Sequence, residues 1–124
     1  MTTEKNEKQR LVLISFYLGD NLMGLDTLRA QEIIKIEEMT PVHRALAYVL
    51  GLINLRGHIV TILDLGRKLG LSPSKITGES RVIIVGAGDE FIGLLVDQIA
   101  EVIETREEDL LPAGEEAEFE EEAE

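Results

Sequence analysis

The chain has 124 residues, which is enough for one domain or for two very small ones. Its lack of cysteine excludes disulfides and thiolate metal sites. We expect neither secretion nor membrane insertion, because no apolar segment follows a basic region and no run approaches the about 18 apolar residues of a membrane span. The sequence therefore predicts a soluble protein of the cytoplasm.

The net charge of −12 is concentrated near the C-terminus. Residues 101–124 carry 12 acidic residues and one basic residue, whereas residues 1–100 carry 12 acidic and 11 basic residues. The body of the chain is thus nearly neutral and shows no basic patch that could neutralise phosphates. This distribution disfavours nucleic-acid binding.

The chain reads as short apolar segments separated by turn residues, which is typical of an all-β protein. We predict strands at positions 11–18, 22–25, 31–36, 52–55, 59–63, 80–85, 91–96 and 99–103. A helix is predicted over 44–50, a second, short one after Asp64 as its N-cap, and a last helical turn from a capping box at 105–108. Short strands at close spacing with brief helices indicate a β-barrel-type architecture.

The central stretch, residues 51–65, contains two apolar runs joined by Arg56, Gly57 and His58. Gly57 can adopt the positive φ that a reversal needs, and Asn54 can hydrogen-bond into the turn. A guanidinium is not buried unpaired, so Arg56 should project outward, either to bind a partner or to form a surface pair with Glu32. A planar cation held beside buried strands suits protein recognition better than catalysis.

No pattern in the sequence predicts a catalytic, metal or cofactor site. His43 and His58 are 15 residues apart without a ligand spacing, and Asp64 is better explained as a helix cap than as a functional acid. The glycines around Ala87 are followed by a strand and by acidic residues, which favours a hairpin turn over a nucleotide loop. The serines lack a nucleophile elbow.

The blocks Asn54–Gly57, 63–65, 31–33 and 93–97 stand in an order and at a spacing that strongly resembles the CheW family of chemotaxis coupling proteins. The resemblance runs from about residue 11 to residue 111. It implies a mainly β fold of two small SH3-like or OB-like barrels with short helices. It also implies a non-enzymatic adaptor that couples chemoreceptor cytoplasmic tips to the regulatory domain of the CheA histidine kinase, in receptor arrays at the inner membrane.

The family's functional positions can be placed on this chain through the resemblance. Those implied for receptor binding are Glu32, Asn54, Arg56 and Gly57. Those implied for contact with the kinase regulatory domain are Ile14, Thr27, Ala30 and Ile33. No cofactor is implied.

The C-terminal part departs from the family pattern, because a glutamate-rich stretch stands where further strands are usual. We therefore expect a disordered arm over 1–10, a CheW-like domain over 11–112 with its second barrel incomplete, and an acidic disordered tail over 113–124. An incomplete barrel would leave an open sheet edge that invites pairing with another chain. The alternative function is thus a small β-barrel module that acts by self-association and has lost coupling.

Overall fold

A computed structural model describes residues 10–36, 38–43 and 45–106. In chain order the elements are β1 (Arg10–Leu18), β2 (Asn21–Asp26), β3 (Ala30–Ile34), β4 (Val49–Leu55), β5 (His58–Asp64), α1 (Leu65–Lys68), β6 (Arg81–Ala87), β7 (Glu90–Val96) and β8 (Gln98–Arg106). The predicted tail, the domain boundary at 112 and residues 1–9 of the predicted arm lie outside the described residues. Arg10, which we predicted as the last residue of the arm, is the first residue of β1.

Five strands form a curled sheet in the order β3-β6-β7-β5-β4. Neighbours are antiparallel except β5 and β7, which run parallel. The two outer strands approach each other through Thr40, which follows β3 and exchanges two backbone hydrogen bonds of 2.8 Å with Leu52 of β4. This bridge closes the sheet toward a small barrel, and we call the line along which β3 and its extension meet β4 the seam.

The interior of the barrel is aliphatic. The side chains that point inward from its three central strands are Val60, Ile62, Val82, Ile84 and Leu95, all fully buried. Gly93 lies on the same inner face of β7, where a Cβ atom would stand 2.6 Å from both Ile62 Cδ1 and Val82 Cγ1. The barrel is therefore too narrow at this level for any side chain on the central position of β7.

The outer face of the same strands is covered by a second sheet of three strands, in the order β2-β1-β8. Phe16, Leu18 and Leu25 of this sheet form one buried cluster with alternate residues of β6 and β7. Those barrel residues are Ile83, Val85, Ala87, Ile92, Leu94 and Val96. Because β6 and β7 are buried on both faces, their sequences are nearly continuous apolar runs.

The pairing of β1 with β8 is interrupted by a β-bulge. The register between these strands shifts between Ile14 and Phe16, and Ser15 at that point is almost completely buried. Its Oγ donates to the Glu101 carbonyl oxygen at 2.6 Å and accepts from the Glu101 N–H at 3.0 Å. Ser15 thus replaces the ladder bonds that the bulge would otherwise leave unmade.

Most predicted elements are confirmed, including Asp64 as the N-cap of α1. The helix predicted over 44–50 is wrong for the described residues: 45–48 are loop and turn, and Val49 starts β4. Pairing with β5 overrides the helix preference here, since Asp64 N–H donates to the Tyr48 carbonyl at 2.7 Å and Val49 faces Leu63. Of the predicted last helical turn, Thr105 lies in β8 and residues 107–108 are outside the described part.

Among the described strands, β8 pairs with β1 alone, so its other edge is open. This edge carries the exposed Val102, but also the charged Glu101, Glu104 and Arg106 and the bulge beside Ser15. Charges and bulges are the features by which edge strands avoid pairing with other chains. The predicted open edge is present in the described part, yet its composition discourages association.

We expect Gly93→Ala to lower the free energy of unfolding by about 1–3 kcal/mol, the usual effect of overpacking a tight core. The matched control is Gly86→Ala on the inner face of β6, where a Cβ atom would have ordinary contacts of 3.9 Å and 4.0 Å. That variant should be as stable as the parent or slightly more stable. Urea unfolding followed by circular dichroism measures both, and equal stability of the two variants would contradict the packing described for the barrel interior.

Candidate protein-interaction site

The turn between β4 and β5 is built by Asn54, Arg56 and Gly57. Arg56 and Gly57 both have positive φ, 51° and 88°, which is the geometry of a two-residue type I′ hairpin turn. The Asn54 Oδ1 accepts a 2.8 Å hydrogen bond from the Gly57 N–H and so fixes the turn. Asn54 and Gly57, two of the four residues predicted for receptor binding, therefore fix the turn backbone from which Arg56, the third, projects.

Glu32, the fourth predicted residue, lies on β3 at the opposite edge of the five-stranded sheet, and its side chain reaches Arg56. The Arg56 Nη2 donates to Glu32 Oε1, and the pair spans the seam between β3 and the β4–β5 turn. The side chains are 67% and 33% exposed, and exposed ion pairs contribute only about 0–1 kcal/mol to stability. The pair therefore does more to orient the guanidinium than to hold the barrel closed.

The pair lies at one open end of the barrel, which we call the mouth. Residues opposite each other in a sheet share a face, so the pairing with neighbouring strands shows which side chains point inward at this end. Glu32 pairs with Ile84, whose side chain lies in the barrel interior. Following the same alternation along each strand gives the last inward-facing position at this end of the barrel. These five mouth positions are Glu32, Leu55, His58, Gly86 and Phe91.

Phe91 is the residue at this site that the sequence did not identify. It is 39% exposed, and its Cε1 lies 4.0 Å from where a Cβ of Gly86 would be, while the Gln31 Nε2 lies 3.9 Å from the same point. The ring and the amide therefore flank the glycine. The strand alternation pointed to this orientation, because Phe91 lies two residues before Gly93 and four residues before Leu95, which both face inward. It was not decisive, since both faces of β7 are apolar and the sequence does not say which one is inside.

The residues predicted for kinase contact are spread over the two sheets: Ile14 is on β1, Ala30 and Ile33 are on β3, and Thr27 is in the turn between β2 and β3. Ile14 is only 8% exposed and faces Leu25 and Val102 across the sheet, so it forms the floor of this region and not its surface. The Ala30 N–H donates to the Thr27 carbonyl at 3.2 Å, and both residues are half-buried. Ile33 is 40% exposed, and Leu28, which lies between Thr27 and Ala30, is 87% exposed, so this region presents both apolar side chains to solvent.

Asp64, the acid weighed against a functional role, has a structural one. Asp64 is buried, and its two carboxylate oxygens accept from the backbone N–H groups of Arg67 at 3.2 Å and Ser74 at 3.1 Å. Within the described ranges no three His, Asp or Glu residues are grouped so that they could hold a metal ion. The described part also contains no helix that is long and apolar enough to cross a membrane.

Comparison with known proteins gives a consistent result. Residues 12–122 match the family model of the CheW-like domain. Chemotaxis protein CheW of Treponema pallidum is 32% identical over 82% of this chain and 62% of its own length, and that of Bacillus subtilis is 30% identical over 93% and 72%. CheW of Helicobacter pylori is 30% identical over 90% of this chain and 68% of its own length.

The scaffolding protein TtCheW of Thermoanaerobacter tengcongensis has a similar solved structure, with a TM-score of 0.76 and 32% sequence identity. The match covers 82% of this chain and 66% of the TtCheW chain. Against curated relatives from Treponema pallidum, Rhizobium meliloti and Rhizobium etli, the chain spans 62%, 64% and 66% of their length, respectively. On the family match, the identities and the shared fold, this chain belongs to the CheW-like domain family of chemotaxis proteins.

Proposed function

We propose that this chain is a non-enzymatic signalling adaptor that couples chemoreceptor cytoplasmic tips to the regulatory domain of a CheA-type histidine kinase. The observation that carries the proposal is the Glu32–Arg56 pair on the turn held by Asn54, since these are the positions that the family resemblance links to receptor coupling. An adaptor of this kind acts in the cytoplasm beside the receptor arrays.

The proposed mechanism needs two binding surfaces on one rigid body, and β3 supplies a residue to each. Glu32 and Ile33 are neighbours in this strand, so their side chains point to opposite faces. Glu32 reaches the mouth and Arg56, whereas Ile33 lies on the opposite face of β3 and is 40% exposed. We assign the first surface to the receptor and the second to the kinase regulatory domain. An apolar patch beside ordered charges suits specific, reversible contacts.

Self-association through the open edge of β8 is the second candidate function. It is supported by the unpaired outer side of β8 among the described strands and by the exposed Val102. The charges and the bulge on that edge argue against it, and the comparisons with chemotaxis proteins favour the adaptor. Reversing the charge of Arg56 separates the two, because a module that assembles through β8 would be indifferent to it.

We expect Arg56→Glu to weaken binding to a receptor cytoplasmic-tip fragment by at least about tenfold, because losing one member of an interfacial charge pair usually costs about 2–5 kcal/mol. The fold should survive, since the lost ion pair is exposed. The measurement is isothermal titration calorimetry, with the dispersion of the amide spectrum as the check of folding.

The double variant with Glu32→Arg and Arg56→Glu is the control for a purely structural pair. It keeps opposite charges facing each other across the seam but exchanges their positions. If the pair only supported the barrel, the exchange would restore receptor binding. Binding that stays weak in the exchanged variant is the result that our proposal requires.

We expect Ile33→Ser to weaken binding to the kinase regulatory domain by about tenfold, because truncating an apolar interface anchor costs more than about 1 kcal/mol. Ile76→Ser is the matched control, since Ile76 is also exposed but lies in the loop after α1. Binding is measured by NMR titration of the labelled protein. Equal affinities of the two variants for the kinase domain would remove the assignment of this surface.

A further inference from the structure

The end of the barrel opposite the mouth carries two cations on α1. This helix follows the last residue of β5, whereas the mouth is at the start of that strand. The Arg67 Nη1 donates to the Ala47 carbonyl oxygen at 3.3 Å, and the Lys68 Nζ lies 4.5 Å from the centre of the Tyr48 ring. These contacts hold both cations against the loop that leads into β4.

The loop after α1 adds a third cation. The Leu71 N–H donates to the Gly66 carbonyl oxygen at 2.7 Å, and the Ser74 N–H donates to the buried Asp64 carboxylate at 3.1 Å. The loop is thus bound both to α1 and to its N-cap. Lys75, which follows directly, is exposed, so it lies on the surface beside α1.

Charge at this end of the barrel is unbalanced. In segments 45–48 and 65–80, which the structure describes throughout, the three cations are accompanied by one acid, Glu79. The first segment also presents Leu46, which is 62% exposed. We call the following group the α1 surface: Leu46, Tyr48, Arg67, Lys68 and Lys75. Cations beside an exposed apolar side chain suit an acidic segment that carries an apolar anchor.

Residues 107–124 have the complementary composition. They contain ten acidic residues and no basic residue. Seven of these acids lie within residues 115–124, which also contain Phe119, the one aromatic residue of the segment. A single exposed ion pair contributes little, but the attraction here is summed over several acids and three cations. The segment therefore matches the α1 surface in charge and supplies an apolar anchor.

The chain is also long enough for residues 115–124 to reach the α1 surface of the same molecule. Val96, the last residue of β7, shares a buried cluster with Leu65 of α1. From there the nine residues of β8 lead the chain about 30 Å away to Arg106. Phe119 follows 13 residues later, and an extended chain of that length spans about 45 Å. Attachment to the same chain raises the effective concentration of the segment and favours it over a second copy.

We propose that the α1 surface binds residues 115–124 of its own chain, with the glutamates facing the three cations and Phe119 against Leu46. The proposal replaces the sequence-based expectation of a free acidic tail over 113–124. It does not depend on receptor or kinase coupling, because the α1 surface lies at the opposite end of the barrel from the Glu32–Arg56 pair.

The lack of cysteine allows a direct test, because Glu121→Cys provides a single site for a nitroxide spin label. In the full chain at low salt, the label should broaden the amide signals of residues 45–48 and 66–76 more than those of the mouth. Salt at about 1 M, where the Debye length is about 3 Å, should remove most of this broadening.

Paired charge reversals separate the α1 surface from the net charge of the chain. Arg67→Glu combined with Lys75→Glu should reduce the broadening at residues 45–48 by about threefold or more, because two attractions become repulsions. Arg10→Glu combined with Arg56→Glu is the matched control, since it changes the net charge equally at exposed arginines of other surfaces. The control should show the same broadening as the parent.

A third variant changes the segment and leaves the α1 surface intact. Glu115→Gln, Glu116→Gln and Glu118→Gln together should also reduce the broadening, which distinguishes loss of docking from a disturbed α1. Broadening that is absent, evenly spread or centred on the mouth would overturn the proposal, as would an equal loss in the matched control. Equal broadening of isotope-labelled chains by separate spin-labelled chains would make a second copy the occupant and overturn docking within one chain.

Discussion

The structure depends on β6 and β7 being buried on both faces. Val82, Ile84 and Leu95 fill the barrel, while Ile83, Val85 and Leu94 pack on the second sheet. The two hydrophobic cores therefore share the same pair of strands, and neither can be repacked alone. This arrangement lets a chain with few aromatic residues build a firm core, because each aliphatic residue of these strands contributes to one core or the other.

The shared strands also explain why the groups of the candidate site are on the periphery. Positions within β6 and β7 are committed to packing, so polar side chains are left to the outer strands, the turns and the strand ends. Glu32 is on an outer strand, Arg56 is in a turn, and Phe91 is near the start of its strand. The rigid interior holds these groups at fixed separations, which is what the proposed engagement of two proteins at once would require.

Much of this fold could be predicted from the sequence, because apolar runs of β-favouring residues punctuated by glycine leave few alternatives. The helix predicted over 44–50 is wrong for the described residues 45–50: their helix propensity is good, but pairing of this segment with β5 decides its conformation. The geometry of the candidate site could be predicted in part: Asn54, Arg56 and Gly57 have local turn signals, and Glu32 was considered as a partner of Arg56. The binding roles of these residues stay a prediction. Phe91 was missed because a strand buried on both faces does not reveal which face is the interior.

The positive φ of Arg56 has a consequence for how this protein can evolve. A residue with a β-carbon is strained there by roughly 1–2 kcal/mol, whereas glycine or asparagine would suit the turn better. Replacing Arg56 by glycine would thus improve the local backbone while removing the guanidinium from the seam. The turn is a place where foldability and recognition select different residues, and a consensus chosen for thermal stability alone would discard the side chain on which the proposed coupling depends.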